Sequence, residues 1–421
     1  MQPAKPPLLR FLLRWLDSNE LAWMPPRWWH GTPTEREVWH LRKLARRRIR
    51  RELIARQGLA RTLTQAAVWP VWALLKTVIH LRQRPLRKPG LGAWALRFLD
   101  IYWLQMAYNI GISDQFDGRM ELPEFRRLIR LTAVCREHQS LLSSTHLIAR
   151  GYPNIGGKQV FAKFCLEHGL PTVPVLCAGR GDQLLPGAVD WPPRDVFFKP
   201  ANMAKGLGME VFSYDATTGQ WRTEAGIIVT PQSLPAYARR KLGQDVEWLL
   251  QPRISNSSAW PAYGSGALST CRIMTGRLGP NETDIVILGA FIRCSLVNPI
   301  VDNMSAGGIG IGIDLTQERL TFGLEWVNYD PPLSHIPSTG AAITGTTVPA
   351  LSEIVNLALR AHRAAGNWSS VGWDLALLEE GPVLIEANLQ WAINPFLPFG
   401  MSRLPEVLRT CFGPHYERLP S

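Results

Sequence analysis

"VGWDLALLEEGPVLIEANLQ", residues 371–390, reads as a strand, a tight turn and a second strand, with carboxylates where a buried hairpin is ordinarily apolar. Successive side chains in a strand alternate between faces. Glu386 and Asn388 therefore share a face with Pro382 and Leu384, and Val383, Ile385 and Ala387 take the other. If Glu379, Glu380 and Gly381 form a three-residue loop with Gly381 left-handed, Asp374 falls directly opposite Glu386. Like charges across a strand pair repel, and an unpaired buried carboxylate is costly, so something must compensate. A divalent cation is the best candidate, because Asp374, Glu386 and the amide oxygen of Asn388 make a hard all-oxygen donor set that suits magnesium. A hairpin whose acids simply face solvent remains the competing reading of this stretch alone.

Upstream, "DVFFKPA" and "MEVFSYD" read as two strands joined by "NMAKGLG". Lys199 ends the first strand, and Lys205, Gly206 and Gly208 occupy the loop. Glycine there lets backbone N–H groups approach phosphate closely, and lysine supplies charge at the same place. The spacing is not that of a Walker loop or a dinucleotide fingerprint. "KQVFAKFCLEHGL" predicts a helix ending near Gly169, and "ALSEIVNLALRAHRAA" a second one. Further strands are expected at "EWLLQPRI", "STCRIMTGR", "DIVILGAFIRCSL" and "IGIGIDL", giving an α+β chain after residue 150.

The chain has 421 residues, 46% of them hydrophobic and 19% charged, a globular composition with room for two or three domains. Six cysteines without CxxC spacing point to free thiols in a reducing compartment. Residues 1–20 lack the apolar core and cleavage site of a signal peptide, which favours a cytosolic chain. The apolar run 66–81 is broken by Pro70, Lys76 and His80 and falls short of the ~20 residues that span a bilayer.

Charge is concentrated at one end. Residues 1–150 hold 26 Lys+Arg against 11 Asp+Glu, so they carry more than the whole chain's net +12. The segment 35–63 has the Ala, Leu, Arg and Glu content of a helix, and the region to residue 149 reads as a basic, Trp-rich, mainly helical domain. Two readings of it compete. Arg46, Arg47, Arg48, Arg50 and Arg51 could contact anionic headgroups, with Trp28, Trp29, Trp69 and Trp72 in the interfacial layer. The plainer reading is a solvated basic face over a helical core that buries the tryptophans, and it is preferred because charge runs are usually just exposed. No nucleic-acid module accompanies the charge, so no nucleic-acid partner is expected.

Taken in order, these motifs resemble the sugar-transfer-associated branch of the ATP-grasp superfamily over roughly residues 150–400. The resemblance implies ATP and one or two magnesium ions as cofactors, held between two α+β subdomains, here 150–252 and 253–421. Lys158, in "NIGGKQVFAKF", stands at the first nucleotide lysine and Lys199 at the second, with Lys205, Gly206 and Gly208 in the phosphate-covering loop. "EWLLQPRI" resembles the hinge that holds adenine by backbone hydrogen bonds, implicating Leu249, Leu250 and Gln251, with Glu247 as a possible ribose contact. Asp374, Glu386 and Asn388 become the metal ligands. Arg272 in "STCRIMTGR", and Arg293 and Asn303 in "AFIRCSLVNPIVDNMSAGGIG", become the groups facing an acyl phosphate or carboxylate, which a planar guanidinium suits well. His335, in "SHIPSTG", falls in a resembling segment, although a lone histidine is more often structural.

The activity so implied is carboxylate ligation: ATP phosphorylates a substrate carboxylate and an amine or similar nucleophile displaces the phosphate. A glycan-linked or other small carboxylate in glycan or exopolysaccharide biosynthesis is the expected partner, with peripheral contact to the inner face of the membrane through residues 1–150 as an open alternative. A kinase on the same fold and a non-catalytic nucleotide-binding protein are the rival readings. The branch's usual preceding α/β domain is not recognisable in residues 1–150, and Gln251 stands where many such enzymes carry an acid.

Overall fold

The computed structural model describes residues 50–108 and 155–391, apart from short stretches within each span; Lys205, Gly206, Asn303, Trp28, Trp29 and Arg46 to Arg48 lie outside the described residues. The chain divides into two compact units, one of Met1–Ile148 with Ala392–Leu397 and Pro405–Ser421, the other of Ala149–Trp391 with Pro398–Leu404.

In the first unit, α1 (Leu59–Gln83) packs on α2 (Leu91–Tyr108). Pro70 lies inside α1. The indole N–H of Trp69 donates to the Met106 carbonyl at 2.9 Å, so this tryptophan fastens the pair together. Trp69 and Trp72 are both buried, which overturns their placement in an interfacial layer. Their large apolar surface is spent between helices.

The second unit is mixed α+β with two antiparallel sheets. The first sheet contains β1 (Cys177–Arg180), β2 (Gln183–Leu184), β3 (Val196–Pro200), β4 (Glu210–Asp215), β5 (Gln220–Arg222), β6 (Ile228–Val229) and β7 (Glu247–Pro252), in the order β2-β1-β7-β3-β4-β5-β6. The second contains β8 (Thr270–Arg277), β9 (Ile285–Ser295), β10 (Gly308–Asp314), β11 (Arg319–Glu325), β12 (Ser370–Leu378) and β13 (Gly381–Asn388), in the order β11-β10-β9-β8-β12-β13. Helices α3 (Lys158–Glu167), α4 (Leu234–Leu242) and α5 (Leu351–Ala364) complete it. Phe198, Phe212, Trp248 and Leu250 of the first sheet share a core with Tyr237 of α4. The larger core lies on one face of the second sheet, where Ile273, Ile292, Ile311, Trp373 and Leu375 meet Ile354 and Leu357 of α5.

Phe161, Phe164 and Cys165 of α3 belong to this larger core. A boundary at residue 252 therefore separates α3 in sequence from the sheet on which it packs. Period-2 alternation explains the second sheet's other face. Ile309, Ile311 and Ile313 point into the core, leaving Gly308, Gly310 and Gly312 on the opposite side of β10. A Cβ at Gly310 would lie 2.7 Å from the Met304 methyl carbon, so a larger residue there would make the Met304 side chain move.

The hairpin β12–β13 departs from its expected form. Leu378 pairs with Gly381, so the turn has two residues, Glu379 and Glu380, rather than three. The register then shifts between Leu375↔Leu384 and Asp374↔Glu386, leaving Ile385 as the extra residue of a β-bulge. The expected pairing of Asp374 with Glu386 is present, but the bulge creates it. Face assignment changes accordingly: Leu384 and Ala387 both enter the core, and Ile385 turns to a cleft. Leu384 thus does not share a face with Glu386.

Candidate active site

One face of the second sheet is polar across four strands. Thr270 and Arg272 of β8 are two residues apart, Thr270 pairs with Arg293 of β9, and Arg272 pairs with Asp374 of β12, which lies opposite Glu386 of β13. Asp374 is only 1% exposed. Its carboxylate accepts from Arg272 Nε at 2.5 Å and Arg272 Nη2 at 2.6 Å, a two-pronged pair. Arg293 Nη2 donates to it at 3.1 Å and Asn388 Nδ2 at 3.2 Å. Burial works to raise the Asp374 pKa, but Arg272 and Arg293 overcome it and hold the carboxyl below the usual range.

Two guanidinium groups thus meet the charge of Asp374 directly, a compensation the sequence reading did not name. Arg293 is anchored further. It donates to Thr270 Oγ1 from Nε and Nη2 at 3.1 and 2.9 Å, and to Asp302 at 3.2 Å, while the Thr270 hydroxyl also donates to Asp302. Burial opposes the charge on Arg293, and Asp302, Asp374 and Glu386 more than offset it. Thr270 and Asp302 were absent from the sequence-derived set. Thr270 was discoverable, because a residue two before Arg272 on a strand must share its face.

Facing this row are the lysines. Lys199, on the last turns of β3, is 8% exposed, and its pKa falls to about 8 because of burial first and the neighbouring Lys158 second, with Glu386 pulling the other way. Lys158, first residue of α3, is also lowered by burial against the attraction of Glu386, and its Nζ donates to the Pro200 carbonyl at 3.1 Å. Gly208, at φ +76°, follows the covering loop; a Cβ there would lie 2.8 Å from a Leu242 methyl.

Beside Lys199 opens a cleft with about 540 Å³ of empty space, part of it open to solvent. Its apolar walls include Val173, Phe197, Val211, Leu268 and Ile385, and Gln251 to Ile254 form one edge. The segment 171–173 holds this arrangement together. Leu384 N donates to Pro171 O at 2.9 Å, Thr172 Oγ1 to Leu384 O at 2.9 Å, and Gln251 Nε2 to Val173 O at 3.0 Å.

Leu249 and Leu250 lie in a central strand paired with β1 on one side and β3 on the other, and both side chains are fully buried. Both edges of the strand have ladder partners at these positions, and the strand meets the cleft at Gln251 and Pro252. Glu247 begins β7, roughly 13 Å from Gln251 at the usual rise per residue, and does not line the cleft. His335 bridges to Ala342 at an exposed position with Ser334 Oγ 3.0 Å from its ring, far more structural than catalytic in its surroundings.

Among the described residues no group of three or more His, Cys, Asp or Glu side chains could hold a metal. The donor chemistry nevertheless fits a hard cation at Glu386 and the amide oxygen of Asn388. Asp374 fits less well as a direct ligand, because its two oxygens already accept four hydrogen bonds.

Two antiparallel-sheet lobes flank a cleft, with Lys199 supplied by the first sheet and Asp374 and Glu386 by the second, an α+β architecture. The family model for sugar-transfer associated ATP-grasp proteins matches residues 140–410, more than half of the chain. The chain belongs to that family. Its fold resembles an L-amino acid ligase from Bacillus licheniformis at 14% identity and TM-score 0.35, covering 63% of this chain and 51% of that one. A biotin carboxylase from Campylobacter jejuni gives 12% and 0.36, covering 73% and 55%, and a D-alanine–D-alanine ligase from Bacillus anthracis gives 11% and 0.35, covering 62% and 68%. This chain thus spans little more than half the length of the first two. No curated protein sequence matches it.

Proposed function

We propose that the protein is an ATP-dependent, ADP-forming ligase that activates a carboxylate for capture by an amine or similar nucleophile. The carrying observation is the convergence of Lys158, Lys199 and Glu386 beside an apolar cleft, next to two buried arginines locked by Asp374. The apolar walls suit a purine ring, and the lysines suit its phosphates. Glu386 and Asn388 would hold magnesium, which when bound neutralises charge on the phosphate oxygens.

An oxygen of the substrate carboxylate attacks the γ-phosphorus and the bond to the bridging oxygen breaks, releasing ADP. The nucleophile then attacks the acyl carbon, phosphate leaves, and the nucleophile's proton passes to solvent. Arg272 and Arg293 orient the acyl phosphate, and Asp374 fixes both guanidinium planes so that little reorganisation accompanies the chemistry. Lys205, Gly206 and Asn303 are proposed to complete the phosphate and substrate contacts. The family's sugar-transfer association is the support for a sugar-linked substrate; its carboxylate, a role in glycan or exopolysaccharide biosynthesis and a cytoplasmic setting are part of the proposal.

Thermal unfolding with magnesium, ATP and both together tests the nucleotide site. Saturation at ~100 times Kd adds ~2.7 kcal/mol, a shift of a few degrees. The wild type should gain it, and Glu386→Gln should lose the magnesium-dependent part. No response at millimolar nucleotide overturns the reading. Acceptor-dependent ADP release with a phosphorylated, unligated product would assign a kinase instead.

A further inference from the structure

The helical unit carries a surface that the nucleotide site does not explain. Between them α1 and α2 bury Trp69, Trp72 and Met106, but also Gln65, Lys76, Thr77 and Gln105. Their outward positions are apolar: Leu63 is 59% exposed, Val71 67% and Leu99 57%, with Leu59, Leu74 and Trp94 also exposed. A helix facing water shows the reverse, polar outside and apolar inside.

Charge around this surface is equally one-sided. No Asp or Glu occurs from residue 53 to residue 99. Nine Lys and Arg fall in residues 42–61 and four in residues 82–88, and the one charged residue between Arg61 and Arg82 is the buried Lys76. The apolar stretch of α1 is therefore bracketed by cations at both ends. That is the arrangement of a helix lying in the plane of a bilayer, with aliphatic side chains among the upper acyl carbons and cations on headgroup phosphates. No described helix is long and apolar enough to cross a membrane. A second copy of this chain is a poor occupant, since it would bring the same positive charge.

We propose that the outer face of α1 and α2 seats the protein on a bilayer containing anionic lipid. The proposal stands apart from the nucleotide site. The test is cosedimentation of the full chain with phosphatidylcholine vesicles, with and without phosphatidylglycerol, for wild type and for Val71→Asp/Leu74→Asp/Leu99→Asp. Wild type should bind only the anionic vesicles, more weakly as salt rises, and the variant should lose about tenfold or more in partitioning. Because the substituted side chains are exposed, its melting should be unchanged. If it fails to fold, acyl-brominated lipids applied to wild type give the same answer, by quenching part of the tryptophan emission. Absence of binding to anionic vesicles, equal binding by a folded variant, or no quenching overturns the proposal. So does a wild-type oligomer that the variant dissociates, since a second copy would then own the face.

Discussion

A lysine almost enclosed by protein and set beside a second lysine carries its charge reluctantly. For Lys199 the folded pKa of about 8 lies below the ordinary 10.5, so between these values the unfolded chain binds more protons. Its contribution to stability is therefore present above about pH 10.5 and lost as pH falls through 8. Lys199→Met should stabilise the ligand-free protein at pH 7 by a few kcal/mol, at ~1.4 kcal/mol per tenfold change in proton affinity. The gap to wild type should close between pH 8 and 10.5 in denaturant titrations, and the variant should show no thermal shift with Mg-ATP. Asp374 behaves oppositely. Asp374→Asn leaves Arg272 and Arg293 buried against a neutral group and should cost about 3–5 kcal/mol. Because Asp374 is held below the usual carboxylate range, its stabilisation is present above that range and lost as pH falls through the folded value. The variant should flatten the acid limb of the stability profile. Lys199 was legible from its place at a strand end. The arginine clamp was not, because the pairing of β8 with β12 that sets Arg272 against Asp374 joins segments about a hundred residues apart.

Within the hairpin, a two-residue turn and a one-residue bulge together reproduce the pairing that a three-residue turn would give. Residue count alone cannot separate the two, which is why the Asp374–Glu386 pairing was legible while the face of Ile385 was not. The bulge turns two consecutive residues, Ile385 and Glu386, to one face, Ile385 as an apolar wall of the cleft and Glu386 as a charge felt by Lys199. Deleting Ile385 should keep Glu386 opposite Asp374 and restore regular alternation. The shortened protein should therefore fold, yet bind nucleotide at least about tenfold more weakly for want of that wall, as isothermal titration would report. Strand β7 teaches a related lesson. Its sequence identifies a buried strand but not that both of its edges are paired.

Across the whole second unit, the cleft borrows from both sheets: Lys199 and Gln251 from the first, Ile385 from the second. A ligand that bridges them should slow amide exchange at the end of β7 and at β13 together. Hydrogen exchange with and without Mg-ATP measures this, and protection confined to one sheet would contradict a shared site. The α+β class and most strands were readable from alternation, since period-2 burial is local. Which helix packs on which sheet was not, as α3 joins a core supplied mostly by residues from Trp260 onward.

The charges at the site have a consequence for the medium in which the protein works. Among the described groups, Lys158, Lys199, Arg272 and Arg293 face Asp302, Asp374 and Glu386, four cations against three carboxylates interlocked by direct bonds and short-range fields. So nearly balanced a set projects little field beyond a Debye length of ~10 Å. Nucleotide capture should thus owe little to long-range attraction, and its association rate should stay almost level as ionic strength changes.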